Sequence, residues 1–334
     1  MIQYKWLACA SMCFAGAELV SDWHLSESLH RAVKALDLSS TELERIGPAM
    51  LASWNASRPA PLVTPESIRI LFDAKKKSIF SLDVRYRTTL TRRSRDALPS
   101  VNAQSSSSEV WWTRWAMDGS RIGRMVASSR QGLAHPSDDQ LAQSTVFDGL
   151  RTWVREGDQP LSVVSQDEGD LFGIEGTWLG AGGCLGDRDQ FTARAGEHDL
   201  AGMIERSHPD AIVVESGTID VAGVVTVVLR MGWDDPIWLY LDPARSLAPV
   251  RIDRRLSVDG GTILIRTDVD MLEQVESGVW LPRRIRLSQF ELPDDQFQAG
   301  DEPTGPWYLR IESTLESLAC NRPLDWKTWG RLRD

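Results

Sequence analysis

Residues 238–255 read WLYLDPARSLAPVRIDRR. An apolar run, Trp238–Leu241, enters Asp242-Pro243, and an alternating run, Val250-Arg251-Ile252-Asp253, leaves the segment. An Asp side chain accepts hydrogen bonds from the backbone of a turn, and Pro presets φ for it, so the stretch predicts a β-hairpin. Both alternating pairs of its first strand are apolar. The pattern therefore does not say whether Trp238 and Tyr240 or Leu239 and Leu241 face inward.

Working outward, the hairpin is one of a series. AIVVES, VVTVVLRM, IWLYL, VRIDRRL, TILIRTDVDML, VWLPRRIRLSQF and WYLRIESTLES follow one another from residue 211. Turn signals at Ala222-Gly223, Asp242-Pro243, Asp259-Gly260-Gly261 and Ser277-Gly278 separate them. Strands joined by tight turns pair antiparallel, because parallel pairing needs long crossovers. Pro282 suits a strand entry or an edge, since it has no N–H for the ladder.

Upstream, Thr64-Pro65-Glu66-Ser67 is a helix start: a Thr cap, Pro at the first helical position and an early acid. Ile68, Leu71 and Phe72 share one face of that helix. The period then switches from near 3.6 to 2, with Phe80, Leu82, Val84, Tyr86 and Thr88 alternating with polar residues. EVWWTRWAM places Trp111, Thr113, Trp115 and Met117 on one face of a second strand. RIGRMVASS continues the series, and STVFDGLRTWVRE reads as a hairpin about Asp148-Gly149. Residues 92–108 are a polar, Ser-rich loop, and residues 166–209 are a Gly-rich excursion.

The chain has 334 residues and a net charge of −10, with 42% apolar and 25% charged residues, which are globular values. The acidic balance argues against nucleic acid as a partner. Lys5, the apolar residues 6–14 and Ala15-Gly16-Ala17 fit a secretory signal peptide, the alternative being an ordinary apolar N-terminal helix. No later run is long enough to span a membrane. A periplasmic or secreted location follows. The division expected is a signal peptide at 1–17, a helical segment at 18–63, a main domain at 64–320 and a tail at 321–334. Cleavage would leave Cys184 and Cys320, either bonded to each other or as two buried thiols.

The strand ending in DPARSLAPVRID (Leu239–Ile252) and the later GVWLPRRIRL (Gly278–Leu287) resemble the LolA/LolB-like, RseB-like superfamily of lipoprotein-localisation factors. The resemblance covers roughly residues 64–318. It implies an α+β fold: a strongly curved antiparallel half-barrel with helices packed on the concave side. It also implies a non-enzymatic envelope protein binding a lipid, a lipoprotein acyl chain or another hydrophobic ligand. The candidate lining is Val84, Tyr86, Trp111, Trp115, Met117, Val225, Val227 and Leu229, residues that equally suit plain core. An envelope sensor or protein-interaction module on the same scaffold is the second expectation. The basic strands carrying Arg251, Arg254, Arg255, Arg283, Arg284 and Arg286 would be its contact patch, or else a solvated face paired to acids.

No catalytic constellation stands out, and no cofactor or metal is implied. His24, His30, His135, His198 and His208 form no HExxH pair. The Gly180–Gly186 loop lacks the Lys-Ser/Thr of a phosphate-cradling loop. Asp234, Asp235 and Asp242 lie near Trp233 and Trp238, which keeps a carbohydrate-active site in view, although Asp-Pro pairs are turn formers.

Overall fold

The computed structural model describes residues 63–93, 107–118, 121–128, 143–147, 152–156, 162–164, 204, 211–232, 236–258, 261–275, 278–292, 297–303 and 305–324. The signal segment 1–17, residues 18–62, the Asp148-Gly149 turn, the Gly180–Gly186 loop and Cys184 lie outside them. So do Asp234, Asp235 and all five histidines.

One helix, α1 (Pro65–Ser78), opens the described fold. Its start follows the expected chemistry. Thr64 Oγ1 accepts from the Ser67 amide at 3.1 Å, and Ser67 Oγ accepts from the Thr64 amide at 2.8 Å, a reciprocal cap ahead of Pro65. The strands are β1 (Ser81–Arg92), β2 (Ser107–Asp118), β3 (Arg121–Ser128), β4 (Gln143–Phe147), β5 (Thr152–Glu156) and β6 (Ser162–Val164). They continue as β7 (Ile212–Val214), β8 (Ile219–Val221), β9 (Val224–Met231), β10 (Ile237–Asp242) and β11 (Ala248–Val258). Last come β12 (Gly261–Gln274), β13 (Trp280–Leu292) and β14 (Trp307–Cys320).

All pairings are antiparallel. The order is β6-β5-β4-β3-β2-β1-β14-β13-β12-β11-β10-β9-β7, with β8 folded back on β9. Two meanders are thus joined where the first strand meets the last. That junction is locked beyond the ladder. Asn321, in the left-handed region at φ 55°, donates from Nδ2 to the Ser78 carbonyl at 2.8 Å and accepts from the Phe80 amide at 2.9 Å. Ser81 Oγ donates to the Arg322 carbonyl at 2.6 Å.

The hairpin quoted at the outset joins β10 to β11. Asp242 caps a 3-10 turn, Pro243–Arg245, accepting from the Ala244 amide at 2.8 Å and from Arg245 Nη1 at 2.7 Å. Both of its carboxylate oxygens are engaged by the turn. Pro282 sits at a strand entry: β14 begins to pair with β13 only at Arg284. The open question at WLYL also has an answer. Leu239 and Leu241 join the core on the side of α1, while Trp238 and Tyr240 join a second core on the opposite face. A strand covered on both sides is apolar throughout because neither side chain row meets water.

Candidate functional site

The side of the sheet that faces α1 carries the largest apolar surface. Direct cross-strand partners point the same way, so the register traces this face. Tyr86 lies opposite Thr113 and Leu315, Val84 opposite Trp115 and Leu318, and Leu82 opposite Met117 and Cys320. Ile68, Leu71 and Phe72 of α1 pack with these residues and with Leu229, Leu239, Leu241, Ile252, Leu281 and Ile285 in one cluster. Two pairs of polar groups inside it are matched. Tyr86 Oη donates to the Pro282 carbonyl at 3.2 Å, and the Thr88 and Ser313 hydroxyls bond at 2.8 Å, both buried.

Past that row the same face carries further aliphatic residues, with polar ones set among them. Leu90 lies opposite Ile311, and Ile311 opposite Leu287. Leu309 lies opposite Gln289, Gln289 opposite Ile265, and Ile263 opposite Leu256. Leu90 is buried, but Leu256, Ile263, Ile265, Leu287, Leu309 and Ile311 are each only half-buried. Exposed Arg254 and half-buried Gln289 lie among them, and exposed Arg92, Glu109 and Glu291 at their margin. Half-buried aliphatic residues set side by side leave apolar surface in water that a chain-like ligand would cover.

The opposite face is closed differently. Trp238, Tyr240, Leu264, Phe290 and Phe297 form its apolar part, with Trp238 and Phe297 edge to face at 5.8 Å. Beside them lies a buried ionic network. Arg266 grips Asp253 with Nε at 2.8 Å and Nη2 at 3.0 Å, and Tyr240 Oη donates to Asp253 at 3.1 Å. The Gly300 amide donates to Tyr240 Oη at 2.8 Å, and Arg266 reaches Glu302 at 2.6 Å and the Asp301 carbonyl at 2.7 Å. Arg251 bonds Asp268 at 2.7 Å and Glu302 at 2.9 Å. Arg251, expected in a contact patch or on a solvated face paired to acids, is paired to the cross-strand Asp268 and, through the 297–303 segment, to Glu302. The network pins that segment, and its members hold one another rather than pointing at a ligand.

Partial burial pushes the Glu302 carboxyl up, but the Arg266 charge and the Arg251 hydrogen bond outweigh it and hold it below its ordinary range. A carboxylate depressed in the folded state stabilises above its unfolded pKa and loses that contribution as pH falls through the folded value. Glu302 is 70% exposed, so the effect is screened and small, below about 1 kcal/mol. Glu302→Gln should therefore melt slightly below the parent at pH 7. The gap should close as pH drops below 4.5, the ordinary carboxyl value. Paired melts across pH check this, and a gap that widens in acid contradicts it.

The basic strands are largely neutralised. Arg283 meets Glu273 at 3.1 Å, Arg284 meets Asp270 at 3.9 Å and Arg286 meets Asp270 at 3.4 Å. Among the described residues no group of His, Cys, Asp and Glu is placed to hold a metal, and no helix is long and apolar enough to cross a membrane.

No family model and no curated protein matches the chain. Solved structures do. A DUF1329 family protein from Desulfovibrio piger is 10% identical, covering 80% of this chain and 95% of its own, at a TM-score of 0.45. A domain from Vibrio parahaemolyticus, described as an outer membrane lipoprotein-sorting protein, is 12% identical over the same shares, at a TM-score of 0.44.

The residues singled out from sequence divide three ways. Val84, Tyr86, Trp115, Met117 and Leu229 are all buried within the cluster under α1. Trp111 is half-buried at the junction with the strip, opposite Thr88. Val227 is half-buried and Val225 is 56% exposed, both towards the β9 margin. The strip residues of β11 to β14 were not singled out. Their alternation was visible in TILIRT and WYLRIE, but which strands would lie beside one another was not.

Proposed function

We propose that this chain is a non-enzymatic cell-envelope protein that holds a lipid, a lipoprotein acyl chain or a similar hydrophobic ligand against the α1 side of a curled sheet. The observation that carries it is that the apolar face closed under α1 extends into half-buried Leu256, Ile263, Ile265, Leu287, Leu309 and Ile311, with Gln289 and Arg254 set among them. A chain-shaped ligand would lie along the strip, with Trp111 at its inner end. Val84, Tyr86, Trp115 and Met117 would line a deeper extension if α1 moved aside, and Val225, Val227 and Leu229 its flank.

Curvature has its own support. α1 leads directly into β1 yet also reaches β7, seven strands away in the sheet. On a flat sheet those strands would be about 34 Å apart. A 14-residue helix is only about 21 Å long. A sheet curled around the helix brings both within reach. The envelope location rests on the signal-peptide pattern at residues 1–17 and on the resemblance.

The test is binding of a fluorescent long-chain fatty acid, with native mass spectrometry of protein purified without detergent. Ile265→Glu combined with Ile311→Glu should weaken probe binding at least tenfold. Melting should change little, because both positions are half-buried. Unchanged probe binding in that variant, or no probe binding by the parent, would reject the strip as the site.

A further inference from the structure

The end of the sheet farthest from α1 holds a cationic cluster that none of the contacts described so far absorbs. Trp307 opens β14, and two guanidinium groups lie against its ring. Arg93 Cζ is 3.7 Å and Arg310 Cζ 4.3 Å from the ring centroid. One is anchored through its backbone and the other through its side chain. The Arg93 amide donates to the Tyr308 carbonyl at 2.9 Å, so Arg93 extends the β1–β14 ladder by one residue. Arg310 Nε donates to the buried Ser288 hydroxyl at 3.3 Å.

Among the described residues neither Arg93 nor Arg310 has a carboxylate within ion-pair distance. Arg251, Arg266 and Arg286 nearby all do. In a chain of net charge −10 that contrast is notable: acids are plentiful, yet two cations are gathered on one ring without one. We propose that Arg93, Arg310 and Trp307 form a binding site for one oxyanion of the phosphate class. A guanidinium presents a planar fork of donors that matches such a group, and stacking on Trp restricts where the fork points. Burial, and then the charges of Arg286 and Arg93, lower the Arg310 pKa, with Glu312 opposing. An incoming anion relieves that crowding.

The phosphate has two sources with the same chemistry, a free ion or a lipid headgroup. Leu309, the residue before Arg310, belongs to the apolar strip on the other face. A headgroup at Trp307 would therefore sit at the end of the sheet where the strip opens. The site itself does not depend on the strip being occupied.

Titration calorimetry on the full chain in low-salt, phosphate-free buffer separates the cases. The probes are inorganic phosphate, dodecyl phosphate below its micelle concentration, and neutral monodecanoylglycerol. The proteins are the parent, Arg93→Gln with Arg310→Gln, and Arg93→Gln alone, the last at an exposed strand end where folding is not at stake. The expected result is phosphate-probe binding that weakens at least tenfold in the double variant and at least threefold in the single one, and weakens with added salt. Comparable binding of both phosphate probes assigns a free anion. Binding of dodecyl phosphate alone, lost in the variants, assigns a headgroup. The site is overturned if neither phosphate probe binds the parent, or if the variants bind as the parent does. Monodecanoylglycerol binding alongside such a failure leaves the proposed function standing. Phosphate binding without it leaves the site standing and removes the function.

Discussion

Asp253→Ala is expected to destabilise the protein by about 3–5 kcal/mol, the range for breaking a buried ion pair from one side. The Asp253 side chain has no exposure and that of Arg266 has 3%. Removing the carboxylate leaves a guanidinium buried with only Glu302 and the Asp301 carbonyl, and it frees the Tyr240 hydroxyl as well. Urea unfolding measures the loss. Exchange of the Gly300 amide, which donates to Tyr240, should accelerate in the same variant. Asp253→Leu with Arg266→Met should recover much of the stability, because the costs of desolvating two charges vanish together. A loss for Asp253→Ala below about 1 kcal/mol would mean that the network is hydrated and does not pin the 297–303 segment.

Phe72→Ala is the second large effect, at about 3–5 kcal/mol for a buried aromatic truncated to a methyl. Phe72 is fully buried on the inner side of α1, and the Lys75 ammonium lies 3.8 Å from its ring centroid. The truncation removes the wedge between helix and sheet and the ring over which Lys75 is held. Arg69→Ala, on the outer side of α1, is the control. Its contacts with Glu66 and Asp73 are partly exposed helical pairs worth about 0.5 kcal/mol at most. Chemical denaturation gives both values, and binding of a dye that senses apolar surface should rise for Phe72→Ala alone. Equal, small losses in the two variants would show that α1 is not lodged in the core.

Much of the β-structure was legible because it rests on short-range chemistry. Alternation at Leu82, Val84 and Tyr86 and at Trp111, Trp115 and Met117 gave both the strands and the shared face. Thr64-Pro65 gave the helix start through a cap that spans three residues. Asp242-Pro243 gave the hairpin turn, and with it the role of Asp242. The short strand β8 was passed over: three residues are too few for a period to show.

The candidate site was legible only in part, for a different reason. Val84 and Trp115 announce an inward face, but nothing local says how far α1 covers it. Leu287 and Ile311 looked like ordinary inward positions of separate strands. They become one strip only because β13 pairs with β14 over its far half. Arg251 pairs with its cross-strand acid, Asp268, but its second carboxylate, Glu302, lies 51 residues away and no local pattern announces it.

By itself the sequence determined which residues form strands, where they turn, which side chains share a face and where the helix starts. All of these follow from φ preferences, hydrogen bonds within a few residues and periods of 2 and 3.6. The tertiary structure alone decided that β1 joins β14, that the Trp238 row has its own core, and where the α1 face stays half-open. It also decided that Arg93 and Arg310 meet on Trp307. These depend on pairings between residues up to some 240 positions apart. Such pairings are selected by the summed burial of whole faces, a quantity that no single segment contains.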